Sequence, residues 1–153
     1  LSSIAHTSGN IDFGDLNWEK RKYRTWSAYS DSKLANLYFT YELSRKLGED
    51  KGNPIILASH PGWTATDLQR FSGVANFMNI FLGQKVKVGA LGGLRAATDP
   101  TAKSGNYFGS PSMGGMKGHP VLVKSNKLSH NIDNAKKLWK LSEKLTGVSY
   151  HIE

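Results

Sequence analysis

The clearest pattern in the chain is a run of helical spacing between Tyr29 and Leu47. The run contains no Gly or Pro, and Gly48 follows it directly. Apolar side chains recur three and four positions apart, at Leu34, Leu37, Tyr38 and Tyr41. The pattern predicts a helix of about five turns. The polar, turn-rich residues 7–27 before it predict a long surface loop.

Short apolar runs bounded by turn residues predict strands. Residues 54–59 form one such run, with Gly and Pro close on either side, and are typical of a strand buried on both faces. Residues 105–109 predict another short strand, and the glycine-rich residues 110–120 predict a loop after it.

Three further stretches predict helices. Small residues over 86–98 predict a helix that lies close to a neighbour and stops at Asp99-Pro100. Residues 134–145 predict a basic amphipathic helix that ends before Gly147. Residues 63–83 predict a loop and then a helix with an apolar stripe, formed by Phe71, Val74, Phe77, Met78, Phe81 and Leu82. The alternation of helix and strand predicts a parallel sheet covered by helices, the α/β class.

Composition indicates one soluble globular domain. The chain has 153 residues, 39% of them apolar, and a formal net charge of +8 from 20 basic and 12 acidic residues. It contains no Cys, which excludes disulfides, thiolate nucleophiles and Cys-ligated zinc, and fits a reducing compartment such as the cytoplasm. No apolar run approaches the roughly 20 residues of a membrane-spanning helix.

Histidines and lysines suggest two other kinds of site, and neither pattern is specific. The five His residues lack metal-ligand spacing, so we expect no metal; His60 either lines a site or packs in the core. The excess of Lys between Lys103 and Lys144 is one signature of nucleic-acid contact. The lysines in its helix alternate with apolar positions, which a solvated helix face explains better, so we expect no nucleic-acid partner.

Tyr29 and Lys33 lie four residues apart on the predicted helix, so their side chains share one face. A surface pair on any amphipathic helix has this spacing, and the pair alone assigns no chemistry. The order of motifs around it is more specific. Ser-Ser-x-Ala-His from Ser2, Tyr-Ser-Asp-Ser-Lys-Leu-Ala-Asn from Tyr29, and His-Pro-Gly-Trp-Thr-Ala-Thr from His60 together resemble the C-terminal half of the short-chain dehydrogenase/reductase family.

The resemblance covers nearly the whole chain. Within the family, the chain resembles most specifically the retinol dehydrogenase-type members and their bacterial relatives. It implies that residues 1–153 form a single segment, the catalytic and substrate-side part of a doubly wound parallel-sheet (Rossmann-like) domain. The family's glycine-rich cofactor turn does not occur in the sequence. We therefore expect that the N-terminal cofactor-binding half is missing from this chain and is its partner, and that the 153 residues alone are inactive.

The resemblance implies catalytic roles for Ser3, Tyr29 and Lys33. Tyr29 would be the general acid/base that gives a proton to the substrate oxygen or takes it back. Lys33, one helical turn away, would stabilise the phenolate and bind the nicotinamide ribose. Ser3 would hold the substrate oxygen. Ser2 is the competing assignment for that role, because neighbouring residues on a strand point to opposite faces.

The resemblance also implies a cofactor, NADP or NAD. Its contacts would be Tyr29, Lys33, Pro61, Gly62, Thr64 and Thr66, the last on the carboxamide or the pyrophosphate. Capping of a helix ahead of Asp67 is the alternative role for the two threonines. The choice between NAD and NADP stays open, because the group that reads the ribose 2′ position follows a strand that the sequence does not contain.

The function that the resemblance implies is NAD(P)-dependent interconversion of an alcohol and a carbonyl by hydride transfer. The apolar stripe within residues 71–82 fits a lid over a lipophilic substrate, or equally a helix packed on the core. The interval of 26 positions from Ser3 to Tyr29 is longer than in compact members of the resembled family and familiar in the retinol dehydrogenase type, so the resemblance implies an insertion that shapes the substrate entrance. A catalytically silent scaffold or cofactor-sensing protein of the same fold is the alternative function. A homo-oligomer through the Tyr29 helix, as in many family members, is a further expectation.

Overall fold

Helices lie on both faces of a small sheet. The computed structural model describes residues 1–48, 52–64 and 83–150. Its helices are α1 (Thr25–Leu47), α2 (Val86–Thr98) and α3 (Ile132–Thr146), with 3-10 helices at Ile4–Ser8 and Lys127–His130. Its strands are β1 (Ala58–Ser59), β2 (Tyr107–Gly109) and β3 (Val121–Leu122), in the spatial order β1-β2-β3.

The sheet is mixed rather than parallel throughout. β1 and β2 pair in parallel, with Ala58 opposite Tyr107, whereas β3 runs antiparallel to β2. The expectation of a purely parallel sheet was therefore wrong for β3. The loop over 110–120 is too short for the crossover that a parallel neighbour requires, so the chain returns beside β2 as a hairpin. On the other side of β1, Ser2 N donates to Ser59 O at 2.8 Å.

The core lies between the sheet and α1. Leu37 and Tyr41 of α1 pack on Ala58 and Tyr107 of the sheet, and all four are buried. One turn earlier, Leu34 and Tyr38 pack on Ala135 of α3. These α1 residues have the i, i+3, i+4, i+7 spacing seen in the sequence and so lie on one face of the helix. This face therefore packs both on the sheet and on α3. Burial of each large apolar side chain contributes about 1.5 to 3 kcal/mol.

The opposite face of the sheet is covered by α2, as its small residues predicted. Gly92 lies so close to β1 that a Cβ atom there would be 3.0 Å from the His60 carbonyl oxygen. A Cβ on Gly89 would lie 2.3 Å from Thr64 Oγ1 and 3.1 Å from Thr64 Cβ. α2 ends at Asp99, directly before Pro100. The missing side chains at positions 89 and 92 therefore set how closely α2 approaches the sheet.

Other predicted elements differ from the structure mainly in length. The α1 helix begins four residues before the predicted start, and α3 also begins earlier than predicted. The strand expected over 54–59 is limited to Ala58–Ser59, and Ile55 is 54% exposed. The residues before Ala58 bond instead to the turn preceding β2, where Gly105 N donates to Ile56 O at 2.7 Å. The helix with the apolar stripe within 63–83 lies outside the described residues.

The α/β architecture agrees with the predicted class, while the remainder of a doubly wound sheet stays a prediction. In the ranges given above, no helix combines the length and the apolar character needed to cross a membrane.

Two glycines of α2 provide a matched test of this packing. We expect Gly89→Ala to lower the free energy of unfolding by about 1 to 3 kcal/mol, because the new methyl group overlaps Thr64. Gly93→Ala should instead raise it by about 0.5 to 1 kcal/mol, because alanine favours a helix and the nearest heavy atom would be 4.0 Å away. Urea unfolding of both variants checks the two signs, and equal effects would contradict the close approach of α2.

Candidate active site

A cavity of about 1300 Å³ opens where the strands of the sheet end. Its lining includes the segments that follow residues 1–2, β1 and β2, together with residues from the first two turns of α1 and of α2 and from the chain after β3. The carboxyl ends of parallel strands are the usual ligand-binding edge of an open α/β sheet. Three chain segments distant in sequence therefore contribute to one site.

The structure places the two adjacent serines in different surroundings. Ser3 lines the cavity and caps the Ile4–Ser8 turn, with its Oγ accepting from Ala5 N at 3.2 Å. A hydroxyl that accepts this bond keeps its own proton to donate elsewhere. The Ser2 hydroxyl is directed to α1, where Oγ donates to the Lys33 carbonyl oxygen at 2.9 Å. Ser3 lines the cavity and Ser2 does not, and the role of either serine toward a substrate oxygen stays a prediction.

Tyr29 lies in the second turn of α1 and lines the cavity. The ring of Trp26 meets the Tyr29 ring edge-on, with 6.0 Å between their centroids. Lys33 Nζ lies 5.2 Å from the centroid of the Tyr29 ring. The helix thus brings a phenol and an ammonium group together, as their spacing predicted.

The loop over 10–24 is anchored to α1 next to Tyr29. Asp31 accepts from Asn10 N at 2.8 Å through Oδ1 and lies 3.5 Å from the Arg21 guanidinium through Oδ2. Asp15 organises the middle of the loop by accepting from three backbone N–H groups, those of Glu19, Lys20 and Arg21. Desolvation raises the pKa of Asp15, but these donors together with the Arg21 charge bring it below its ordinary value. The loop over 10–24 is therefore ordered and bonded to α1, and a role for it at the substrate entrance stays a prediction.

The loop after β1 lines the cavity through Pro61, Gly62 and Thr64. Gly62 adopts a left-handed conformation with φ +69, and a Cβ there would lie 2.5 Å from the Met116 carbonyl oxygen. Only glycine fits this position without strain. Thr64 Oγ1 donates to Pro61 O at 2.9 Å and closes the loop. Thr66 and the proposed helix cap ahead of Asp67 lie outside the described residues.

Gln84, which the sequence did not single out, bonds to the loops that line the cavity. Its Nε2 donates to Pro61 O at 2.5 Å, its Oε1 accepts from Gly118 N at 3.3 Å, and its backbone N donates to Trp63 O at 2.9 Å. One side chain thus joins the loop after β1 to the glycine-rich loop after β2. No signal in the sequence marks an isolated Gln for this role.

His60 forms part of the cavity lining, and burial controls its protonation. It is 4% exposed, and its Nδ1 accepts from Gly62 N at 3.2 Å. Desolvation by burial, with a smaller repulsion from His6, lowers its pKa from 6.5 to about 4. The ring lies over Gly109, where a Cβ would be 1.8 Å from His60 Nε2. His60 is therefore a neutral donor through Nε2–H at neutral pH.

Burial also governs Tyr107, which lies beside both buried histidines. Its ring centroid is 5.2 Å from that of His60 and 5.7 Å from that of His6. Desolvation raises the pKa of Tyr107 well above its usual range. Among the residues that the structure covers, no group of three or more His, Cys, Asp or Glu is placed to hold a metal ion. The inner wall of the cavity therefore contains neutral aromatic groups.

Comparisons of the sequence with curated proteins find relatives that are named dehydrogenases. No family model matches the chain. Human retinol dehydrogenase 13 is 49% identical over 86 residues, which cover 54% of this chain and 25% of that protein. Short-chain dehydrogenase TIC 32 A, chloroplastic, of Brassica napus is 37% identical over 154 residues, covering 95% of this chain and 45% of that protein. Human retinol dehydrogenase 14 is 32% identical, covering 97% and 43%.

A solved structure extends the similarity to the fold. The crystal structure of an uncharacterised protein from Mycobacterium paratuberculosis matches 98% of this chain and 50% of its own chain, with a TM-score of 0.76 and 37% sequence identity. The chain spans less than half of the length of the three curated relatives named above.

The buried His60 predicts a specific loss of stability in acid. Its pKa is lower in the folded than in the unfolded state, so unfolding takes up a proton between pH 6.5 and 4 and stability falls as pH falls. We expect this group to contribute a loss of about 2 kcal/mol in the free energy of unfolding between pH 7 and pH 5. Denaturant titrations at both pH values should show that His60→Gln reduces the pH dependence by this amount.

His119 supplies the control for that measurement, because it is exposed. His119→Gln should retain the full pH dependence of the parent chain. An unchanged pH dependence in His60→Gln would mean that His60 is not the group that takes up the proton.

Proposed function

The chain belongs to the short-chain dehydrogenase/reductase family, and on that premise we propose that its cavity binds NAD or NADP with an alcohol or carbonyl substrate and supports hydride transfer between them. The observation that carries the proposal is that the predicted site residues meet at one cavity. Ser3, Tyr29 and the loop over 61–64 come from separate segments and line the same cavity. The relatives named retinol dehydrogenase and short-chain dehydrogenase support an oxidoreductase role.

The chemistry of the lining is compatible with a nicotinamide group. Pro61, Gly62 and Thr64 line one side of the cavity, and peptide and hydroxyl groups are the kinds of group that bind a carboxamide. In the structure Gly62 N donates to His60 Nδ1 and Thr64 Oγ1 donates to Pro61 O, so a bound carboxamide would take the place of these partners. We propose that they hold the carboxamide, with Thr66 as a further contact and Lys33 on the ribose. The bound cofactor supplies or accepts the hydride.

The residues of this chain would manage the proton and the substrate oxygen. In reduction, the Tyr29 hydroxyl donates its proton to the oxygen of the carbonyl being reduced, and in oxidation the phenolate takes it back. The Lys33 ammonium group, 5.2 Å from the Tyr29 ring centroid, stabilises the phenolate form. The Ser3 hydroxyl donates a hydrogen bond to the same substrate oxygen and stabilises its developing charge.

The walls of the cavity favour an apolar substrate. The larger apolar side chains of its lining include Leu1, Ile4, Trp26, Trp63, Val86 and Val123. Such a lining binds apolar surface and leaves orientation to its polar groups, among them Ser3 and Tyr29. We propose a lipophilic alcohol, aldehyde or ketone as the substrate class.

We further propose that the chain acts as the substrate-side part of a larger dinucleotide-binding domain. The sequence lacks a glycine-rich phosphate turn, and its relatives are at least twice as long. On this proposal turnover requires an N-terminal half, and the chain alone is inactive. The intact mass under denaturing conditions distinguishes the chain alone, at 16.8 kDa, from a longer protein that includes an N-terminal half.

Tyr29→Phe tests the central role. The experiment uses the form of the protein for which fluorescence titration shows binding of NADH or NADPH. We expect the variant to turn over a lipophilic aldehyde at least about 100-fold more slowly than the parent. Its cofactor affinity should stay within about twofold, because the ring and the Lys33 contact remain.

Tyr23→Phe is the matched control, because Tyr23 is 62% exposed and precedes α1. It should turn over substrate as the parent does. Equal activity of all three proteins would reject Tyr29 as the acid/base. Cofactor binding without turnover in any of them would favour a silent scaffold or cofactor sensor.

A further inference from the structure

His6 lies one 3-10 turn after Ser3 and has both ring nitrogens engaged. It is 3% exposed. Its Nδ1 is 2.6 Å from the Ser3 carbonyl oxygen, and its Nε2 is 3.2 Å from the backbone N of Asn126. An N–H group of the backbone can only donate, so Nε2 accepts and carries no proton. In the neutral ring the proton is therefore on Nδ1 and is donated to Ser3 O.

This bond completes a closed turn around Ser3. The Ser3 carbonyl also accepts from His6 N at 3.1 Å, and Ser3 Oγ accepts from Ala5 N at 3.2 Å. Of the three hydrogen bonds that Ser3 accepts, two come from backbone N–H groups, and the third comes from the imidazole side chain of His6. Because it holds the carbonyl of Ser3 from the side, it restricts rotation of the peptide unit that carries the serine.

The other end of the imidazole is fixed by the segment before α3. Asn126 caps the Lys127–His130 turn, with its Oδ1 accepting from Ser129 N at 3.0 Å. Its Nδ2 also reaches the His6 carbonyl oxygen at 3.5 Å. The position of Ser3 is thereby coupled, through His6, to Asn126, which follows His6 by 120 residues.

The surroundings keep the imidazole neutral. Burial lowers the pKa of His6, the bond to Ser3 opposes this, and repulsion from His130 lowers it again. The titratable groups that face it are His130, His60 and the Tyr107 phenol. A protonated ring would lose the bond from Asn126 N, because both of its nitrogens would then be donors.

We propose that His6 is a positioning residue, which ties the Ser3 carbonyl to Asn126 through an Nδ1-protonated ring and so holds the Ser3 hydroxyl at the cavity. Its effect on catalysis rests on the proposed function, whereas its effect on the geometry of the turn does not. The two parts are separable by experiment.

The geometry is tested by the nitrogen signals of the His6 ring in the intact, isotope-labelled chain at neutral pH. We expect a protonated Nδ1 and an unprotonated Nε2, with a through-bond coupling from Nδ1–H to the Ser3 carbonyl. A ring with its proton on Nε2, or one that exchanges between the two tautomers, would overturn the proposal whatever the activity.

Two variants of similar shape test the role of the bond. His6→Asn retains a donor close to the position of Nδ1, whereas His6→Leu has the same branching and no donor. We expect His6→Leu to lower kcat by about tenfold to a hundredfold, the cost of a misplaced catalytic group, with little change in the KM for cofactor. His6→Asn should recover most of the kcat. His119→Leu, at an exposed histidine, is the control and should match the parent.

The outcomes separate the two proposals. Equal loss in His6→Asn and His6→Leu would overturn the positioning role, since packing of the ring would then explain both. Full activity in His6→Leu would overturn it as well. These activity measurements use the form of the protein that binds NADH or NADPH. If that form of the parent shows no turnover, the proposed function fails, and the ring signals of His6 alone decide the inference.

Discussion

Ser2 joins three parts of the structure that border the cavity, namely the segment of Ser3, helix α1 and the end of β1. Its backbone N donates to Ser59 at the end of β1, and its hydroxyl donates to the Lys33 carbonyl within α1. Each bond is worth only about 1 kcal/mol net, but a buried donor left without its partner would cost more. Because Ser2 precedes Ser3 directly, the same residue fixes the distance between the serine, the helix of Tyr29 and the loop after β1.

Two buried imidazoles flank Tyr107, and backbone amides set them in opposite tautomers. Gly62 N occupies Nδ1 of His60, while Asn126 N occupies Nε2 of His6. Desolvation keeps both rings neutral, so they orient groups without adding positive charge. The charged group beside Tyr29 is the Lys33 ammonium, 5.2 Å from the centroid of its ring.

Much of the fold follows from local patterns. The spacing of Leu34, Leu37, Tyr38 and Tyr41 predicts α1 and its buried face, and the small residues before Asp99 predict α2 and its close approach to the sheet. The short loop before β3 decides the hairpin, yet nothing in Val121 and Leu122, both exposed, marks them as a strand. β1 is shorter than its apolar run because its pairing depends on β2, which has three residues.

The candidate site was predictable only where a motif carries it. Ser3, Tyr29 and the loop from Pro61 belong to recognisable motifs, and the structure brings them to one cavity. Gln84 and the ring bonds of His6 arise from contacts between segments far apart in the sequence, such as position 84 with position 118. Local propensity carries no record of such contacts, because the same residue types occur on any surface.

The overlap between His60 and Gly109 has a consequence for how this sequence can change. The imidazole occupies the volume that any side chain at position 109 would need, since a Cβ there would lie 1.8 Å from the ring nitrogen. The two positions therefore share one volume, and the His60 ring, directly after β1, leaves no room for a side chain at Gly109 on β2. A side chain at position 109 fits only after a smaller residue has replaced His60. The two positions should therefore vary together among related sequences, with the change at position 60 coming first.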